Sequence, residues 1–259
     1  MALTRADITT EPSDTGPAAD GGPRTVRALD PSEVDWAALR RVYPESDGQP
    51  MSDNTRQFRW IQTIAGGLQA LFRDRPDVFV GGDLLWYPVE GAPQIRLAPD
   101  ALVVFGRPPG DRGSYLQWLE GGLPPQVVFE VLSPQNSARQ MEDKRRFYER
   151  YGGEEFYEYD PDRGRLRGWQ RQGEALVPIV PMEGWVSPRL GIRFGLEGGE
   201  LRLSRPDGQL FVSYAEMDEL REQERRRGEA EQQRADVERQ RAERLVAQLR
   251  ALGIEPEAE

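Results

Sequence analysis

The chain contains neither cysteine nor histidine. Disulfides, thiolate zinc sites, cysteine nucleophiles, histidine bases and Ser-His-Asp triads are therefore excluded, and acid–base chemistry must come from carboxylates, lysine, tyrosine or metal-activated water. Lysine is almost as scarce: of 34 basic residues Lys144 is the one lysine, and the rest are arginine. Apolar runs are short, none approaching the ~18 residues of a membrane span. The start, Met1-Ala2-Leu3-Thr4-Arg5, lacks the cationic and apolar pattern of a secretory signal. Cytoplasmic residence without membrane contact is the resulting expectation. Positive charge is also in deficit, 44 acids against 34 bases for a net −10. Non-specific nucleic-acid binding rests on phosphate neutralisation, so this balance argues against a general nucleic-acid coat, although a local arginine cluster could still grip phosphate.

What is present suggests one globular domain with tails. The chain has 259 residues, 37% of them hydrophobic, with six tryptophans, enough to bury a sizeable core. Residues 1–30 mix Thr, Asp, Pro, Gly and Ala without hydrophobic period and read as a flexible leader. Residues 31–207 carry the periodic segments, and residues 208–259 are a charged helical extension. A short helix is expected over 31–39 and a longer one from Ser52 or Asn54 to Arg73, its apolar stripe being Phe58, Ile61, Ile64, Ala65, Leu68, Leu71 and Phe72. Residues 77–88 read as one strand with a Gly-Gly bulge that includes Asp83. Later runs at 155–160, 166–171, 175–180, 185–194 and 200–203 would complete a mixed sheet, which with its flanking helices gives an α/β fold. Within 215–250, heptads counted from Met217 put Leu220, Ala235, Ala242, Leu245 and Leu249, then Leu252, near a seam. Glutamates occupy other core positions, so a solvated single helix and a homodimeric coiled coil are both open.

The chemistry concentrates between Pro99 and Tyr151. Two β-branched apolar runs each carry one acid, Asp100 opening P-D-A-L-V-V-F (99–105) and Glu130 interrupting Q-V-V-F-E-V-L-S-P (126–134). A carboxylate in an apolar strand is costly to desolvate without a cation beside it, and a divalent metal is the obvious candidate. The following segment, 137–151, has helical period, and Met141, Lys144, Tyr148 and Tyr151 share one face. Lys144 thus shares an inward stripe with apolar and aromatic neighbours, in a chain that uses arginine everywhere else.

Pro-Asp, then E-V-L-S-P, a lysine in the next helix and E-F-Y-E-Y-D-P (155–161) together resemble the Uma2 family of restriction endonucleases, similar in turn to the PD-(D/E)XK nuclease superfamily. The resemblance covers roughly residues 36–203 and implies a restriction-endonuclease-like fold. The superfamily's usual lysine position, two residues after the second acid, is Leu132 here, and Lys144 matches the lysine that this branch carries on the next helix. The implied site is a magnesium-dependent (or manganese-dependent) phosphodiesterase centre at Asp100, Glu130 and Lys144, acting on nucleic acid, DNA above all. Asp100, Glu130 and the backbone carbonyl of Val131 would hold the cation, while Lys144 would orient or deprotonate the attacking water or pair with a phosphoryl oxygen. Relatives often carry a histidine or an acid in the preceding helix, and Gln57 is the nearest position here.

Three further residues have two readings each. Asp83 is either a solvent-facing bulge residue or a third oxygen ligand. Arg107 and Arg112 lie in the turn-rich insertion 106–125 with Tyr115 and Trp118; they either meet substrate phosphates or belong to a self-packed Ω-loop. Asp100 alone could be a turn residue, Glu130 a structural salt-bridge partner and Lys144 a surface residue. Function likewise has competitors. A catalytically idle nuclease fold could act as an adaptor for DNA or protein, and two carboxylates could hydrolyse glycosides, though that leaves Lys144 without a task.

Overall fold

In a computed structural model, residues 34–48 and 50–251 are described. The leader of residues 1–30 and the seam position Leu252 lie outside them. Helices α1 (Trp36–Val42), α2 (Thr55–Leu71), α3 (Ala138–Tyr151) and α4 (Tyr214–Ala251) accompany ten strands. The strands are β1 (Val78–Gly81), β2 (Trp86–Tyr87), β3 (Ala101–Phe105), β4 (Tyr115–Leu116), β5 (Val127–Val131), β6 (Glu155–Asp160), β7 (Arg165–Gln172), β8 (Ala175–Pro178), β9 (Arg193–Glu197) and β10 (Glu200–Ser204).

The main sheet has the order β1-β3-β5-β6-β7-β8. All its neighbours are antiparallel except β5 and β6. A parallel pair cannot be joined by a hairpin and needs a crossover, and α3 is that crossover. The sheet therefore receives a helix on one face because of the connection that its central strands require. Met141, Phe147, Tyr148 and Tyr151 of α3 pack with Leu102, Val104, Val128, Phe156 and Trp169. The opposite face carries α2, through Trp60, Ile61, Ile64 and Leu68, against Val103, Phe129, Val131 and Tyr157. Period-two alternation along β3, β5 and β6 assigns even-numbered residues to the α3 face and odd-numbered ones to the α2 face.

Several expectations change. Of the helix expected over 31–39, residues 31–33 lie outside the described residues, and α1 starts at Trp36, where Asp35 caps the Ala38 amide. In α2, capped by Asn54 on Gln57 N, Phe58 of the expected stripe is 38% exposed while Trp60 is buried. The single strand over 77–88 is two: the backbone turns at Asp83, whose φ of 48° is left-handed, and β2 leaves the sheet to pair in parallel with β4 of the insertion. Residues 185–194 and 200–203 do not close the main sheet. Instead β9 and β10 form a separate hairpin, burying Ile192, Phe194, Leu201 and Leu203 on the α2 side. α4 is one continuous helix without a buried residue, and Leu220 and Leu245 are each about half exposed. Arg225 bridges Glu222 and Glu229 along its surface, as i,i+3 and i,i+4 pairs do on solvated helices. Among the described residues no helix is long and apolar enough to cross a membrane.

The two glycines of α2 serve different ends. A Cβ at Gly67 would clash with the ring carbons of Phe211, whereas one at Gly66 would meet only the Tyr214 hydroxyl, at 3.7 Å. Gly67 thus admits the segment leading to α4 onto the helix. In thermal or denaturant unfolding Gly67→Ala should cost about 1–3 kcal/mol through overpacking, and Gly66→Ala should stabilise by about 0.5–1 kcal/mol through helix propensity.

Candidate active site

The lysine's orientation follows from the two ends of α3. Ser137 and Gln140 form a reciprocal capping box at its start. Gly152, with φ 100°, ends it in the left-handed conformation. Between these ends the 3.6-residue period turns Met141, Lys144 and Tyr148 toward the sheet, with Met141 and Tyr148 buried. Beneath them Glu130, 3% exposed, points to the α3 face of β5. Its Oε2 accepts from Lys144 Nζ at 2.6 Å, and its Oε1 accepts from the Tyr148 hydroxyl. Lys144 itself remains about 25% exposed at the side chain, so the ion pair has one buried member and one that reaches solvent.

Asp100 joins them from the next strand. The register sets Ala101 against Phe129, so Asp100, one residue earlier, falls level with Glu130. It is 8% exposed. Its Oδ2 accepts the Val131 amide at 2.6 Å, and Oδ1 takes no hydrogen bond among the described residues. Burial and then the adjacent Glu130 charge push the Asp100 carboxyl well above the ordinary aspartate range, against the pull of Lys144 and the Val131 amide. For Lys144 burial opposes the charge, but Glu130 and Asp100 outweigh it and the pKa rises. Tyr148 is raised well above its usual value by burial and by the Glu130 charge. The cluster is therefore an ammonium held protonated between two desolvated acids, with a phenol that keeps its proton.

A hydrogen-bonded collar braces the strand end. Gln57 Nε2 donates to the Val131 carbonyl at 2.8 Å while its Oε1 accepts the Asp53 amide. Ser133 Oγ donates to Asp53, and Asn136 Oδ1 accepts the Ser133 amide. Gln57 thus touches a backbone atom of the site and no reactive side chain. Asp83 lies exposed at the end of β1, its amide bonded to the Pro99 carbonyl. Partial desolvation and the charges of Asp47 and Glu130 raise its pKa while Lys144 lowers it, so it stands within electrostatic reach of the cluster without bonding to it.

The two loop arginines are placed differently. Arg112 pairs with Glu120 at 2.7 Å, donates to the carbonyls of Pro108 and Gly110, and covers the Phe79 ring at 3.9 Å. Its guanidinium is engaged in holding the insertion together, which is the self-packed alternative. Tyr43, Tyr87 and Leu116 with Trp118 form that insertion's small core. Arg107 Nε is buried without a hydrogen-bond partner among the described residues. Both arginines line a ≈ 510 Å³ pocket against α1 whose walls include none of Asp100, Glu130 and Lys144.

One pair escaped sequence reasoning. Register sets Glu130 against Glu158 of β6, and Glu158 against Arg167 of β7. Asp100, Glu130, Glu158 and Arg167 thus form a row across the sheet beneath α3. Glu158 is 2% exposed and accepts from Arg167 Nε at 2.8 Å. Burial raises its pKa, with Arg167 acting against the rise and Glu130 adding to it. The signal available was Glu158 in a strand adjacent to the E-V-L-S-P run, at the same level once the strands are taken as parallel.

The donor chemistry suits a hard cation. Among the described residues no three or more acids converge on one metal position. An ion would therefore be held by two carboxylates, the Val131 carbonyl and water, in keeping with Mg2+, which keeps several waters and takes one or two carboxylates. The buried, mutually repelling acids supply the negative charge it would neutralise.

Two comparisons relate the chain to known proteins. The family model described as "Uma2: Putative restriction endonuclease" matches residues 46–205. The match spans more than half of the chain, and the chain belongs to the Uma2 family. Among solved structures it is similar to a putative nuclease belonging to DUF820 from Anabaena variabilis, at 13% identity and a TM-score of 0.39, over 56% of this chain and 79% of that one. No curated protein matches.

The raised Asp100 pKa has a consequence for stability. An acid whose folded pKa exceeds its unfolded value, near 3.9, contributes stability below that unfolded value and loses it as pH rises through the folded one. Asp100→Asn, which keeps an acceptor for the Val131 amide, should raise the melting temperature of metal-free protein at pH 8. At pH 4, where the native acid is neutral, it should leave it nearly unchanged. Melting curves across pH with chelator present read this out.

Proposed function

We propose that this protein is a metal-dependent endonuclease that hydrolyses phosphodiester bonds of DNA. The observation that carries the reading is the 2.6 Å contact between Lys144 and the buried Glu130, with Asp100 level with Glu130 on the neighbouring strand. Family membership supports a nuclease and, as what the resemblance implies, a DNA substrate; the metal is inferred from the two desolvated acids beside Lys144.

Asp100, through Oδ1, and Glu130, through the lone pairs that Lys144 and Tyr148 leave free, would hold Mg2+ or Mn2+, with the Val131 carbonyl as a third oxygen that already accepts from Gln57. Such an ion, when bound, supplies Lewis-acid activation of water and of the phosphate. In the metal-free site Glu130 and Asp100 favour the charged form of Lys144; beside a bound cation it would orient or deprotonate the attacking water or pair with a phosphoryl oxygen. One of its three N–H donors is on Glu130, and the remaining two are available to a phosphoryl oxygen or to the attacking water. Tyr148 stays protonated and fixes the Glu130 carboxylate from the core side. Gln57 and the Asp53–Ser133–Asn136 collar keep the Val131 backbone in position.

Supercoiled plasmid incubated with Mg2+ or Mn2+ tests the reading. The wild type should convert it to nicked circles, and Lys144→Ala should slow this by about 10²–10³-fold, the scale of removing one preorganised donor. Lys144→Arg, which keeps the charge on Glu130, checks that loss of rate is not loss of fold, with both variants melting as cooperative units. Absence of nicking across metals and salt, with wild type and Lys144→Ala alike, would overturn the assignment. The exposed 38-residue α4 favours a second reading, an adaptor; it predicts partner capture that survives Glu130→Ala and is lost when residues 215–259 are removed.

A further inference from the structure

Lys144 also forms part of a second feature. Its outer side lines a groove of ≈ 800 Å³ between α3 and the segment 94–97 that leads to Asp100. On the α3 wall the groove follows Gln140, Lys144, Phe147 and Arg150, positions one helical turn apart. At 1.5 Å per residue this wall runs about 15 Å. The facing wall carries Arg96, held over the Tyr87 ring at 5.9 Å and donating to the Pro93 carbonyl at 3.2 Å. Arg150 lies exposed near the Tyr151 ring at 5.5 Å. Neither arginine has a carboxylate partner among the described residues, and the groove's lining contains a single acid, Asp143.

We infer that this groove seats a single nucleic-acid strand, with Arg96 and Arg150 gripping its phosphates from opposite walls and delivering it to Lys144. The inference rests on the nuclease reading for what happens at Lys144 but not for the binding itself. Charge complementarity is local: in a chain of net −10 this cleft is lined by four cations and one acid, and with Lys144 paired to Glu130 and Arg146 to Glu142 its uncompensated positive charge is that of Arg96 and Arg150. The chemistry of the remaining lining agrees. Phe147 packs inward on Trp86 and Tyr148, and Tyr151 packs on Phe147. The partly exposed edges with which both rings line the groove offer aromatic surface to bases, the sequence-tolerant mode of single-strand recognition, while the amide of Gln140 offers hydrogen bonds to base edges. An unpaired strand fits a groove walled by one helix on one side and one extended segment on the other.

The test is fluorescence anisotropy with a labelled oligothymidylate, in chelator so that nothing is cleaved, over a series of salt concentrations. Arg96→Glu and Arg150→Glu should each weaken binding about tenfold, and each should reduce the slope of log K against log salt by about 0.7, the value for one lost phosphate contact on a single strand. Arg41→Glu, an exposed reversal on α1 outside the groove, should change binding less than twofold. A labelled hairpin duplex should bind more weakly than the single strand. Equal losses in all three variants would assign binding to overall charge and overturn the groove, as would duplex binding at least as tight, or no binding by the wild type at low salt. The nuclease reading fails separately: groove variants that lose binding in a protein that never nicks plasmid leave the groove standing, and nicking that persists when both arginines are reversed, with binding unchanged, removes the groove alone.

Discussion

Placing a carboxylate in the middle of a buried strand is the constraint around which this molecule is arranged. Glu130 sits between Phe129 and Val131 with a few per cent of its surface exposed, where an unpaired charge would cost several kcal/mol. The compensation comes from α3, which exists because β5 and β6 are parallel and need a crossover. That helix is phased by its capping box so that one ammonium and one phenol reach the two carboxylate oxygens. Topology, helix phase and electrostatics are thus tied together: moving Lys144 by one position would turn it about 100° away from Glu130. Asp100 adds a second desolvated acid that Lys144 cannot fully satisfy, and this residual negative charge is what a divalent cation would relieve.

Much of this is legible in the sequence, for identifiable reasons. Lys144 stood out because the chain otherwise uses arginine, and its facing followed from the 3.6-residue period. Asp100 and Glu130 stood out as acids in β-branched runs. Glu158 and Arg167 did not, because E-F-Y-E-Y-D reads as one more alternating strand of the mixed sheet, with nothing to set Glu158 apart from its other acids. In fact β6 lies inside the sheet with layers on both faces and buries all six residues, as central strands between packed layers do. Alternation in the sequence could not reveal that second layer, since it depends on α3 and the β9–β10 hairpin arriving from distant parts of the chain. For the same reason the hairpin was assigned to the main sheet: its strands carry the right period, but period does not specify a partner.

The break at Asp83 shows a different limit. Gly81-Gly82-Asp83 suggested a bulge within one strand, yet the chain uses the left-handed Asp83 to leave the sheet altogether. The short β2 that follows is then free to pair with β4, and the insertion closes over Tyr43 and Tyr87 as a satellite core. Arg112 is engaged in that closure through Glu120, which separates it from the surface where Lys144 emerges. The cationic groove beside Lys144 is instead lined by Arg96 and Arg150, residues about fifty apart in sequence that only the return of α3 along the segment 94–97 brings to one cleft.

The central claim is that Asp100 and Glu130 share one hard cation beside Lys144, and isothermal titration of Mn2+ tests it most directly. The wild type should bind a single ion per chain at this site, and Asp100→Asn and Glu130→Gln should each abolish or strongly weaken that binding while still melting cooperatively. Undiminished binding in both variants, or none in the wild type, would contradict the account.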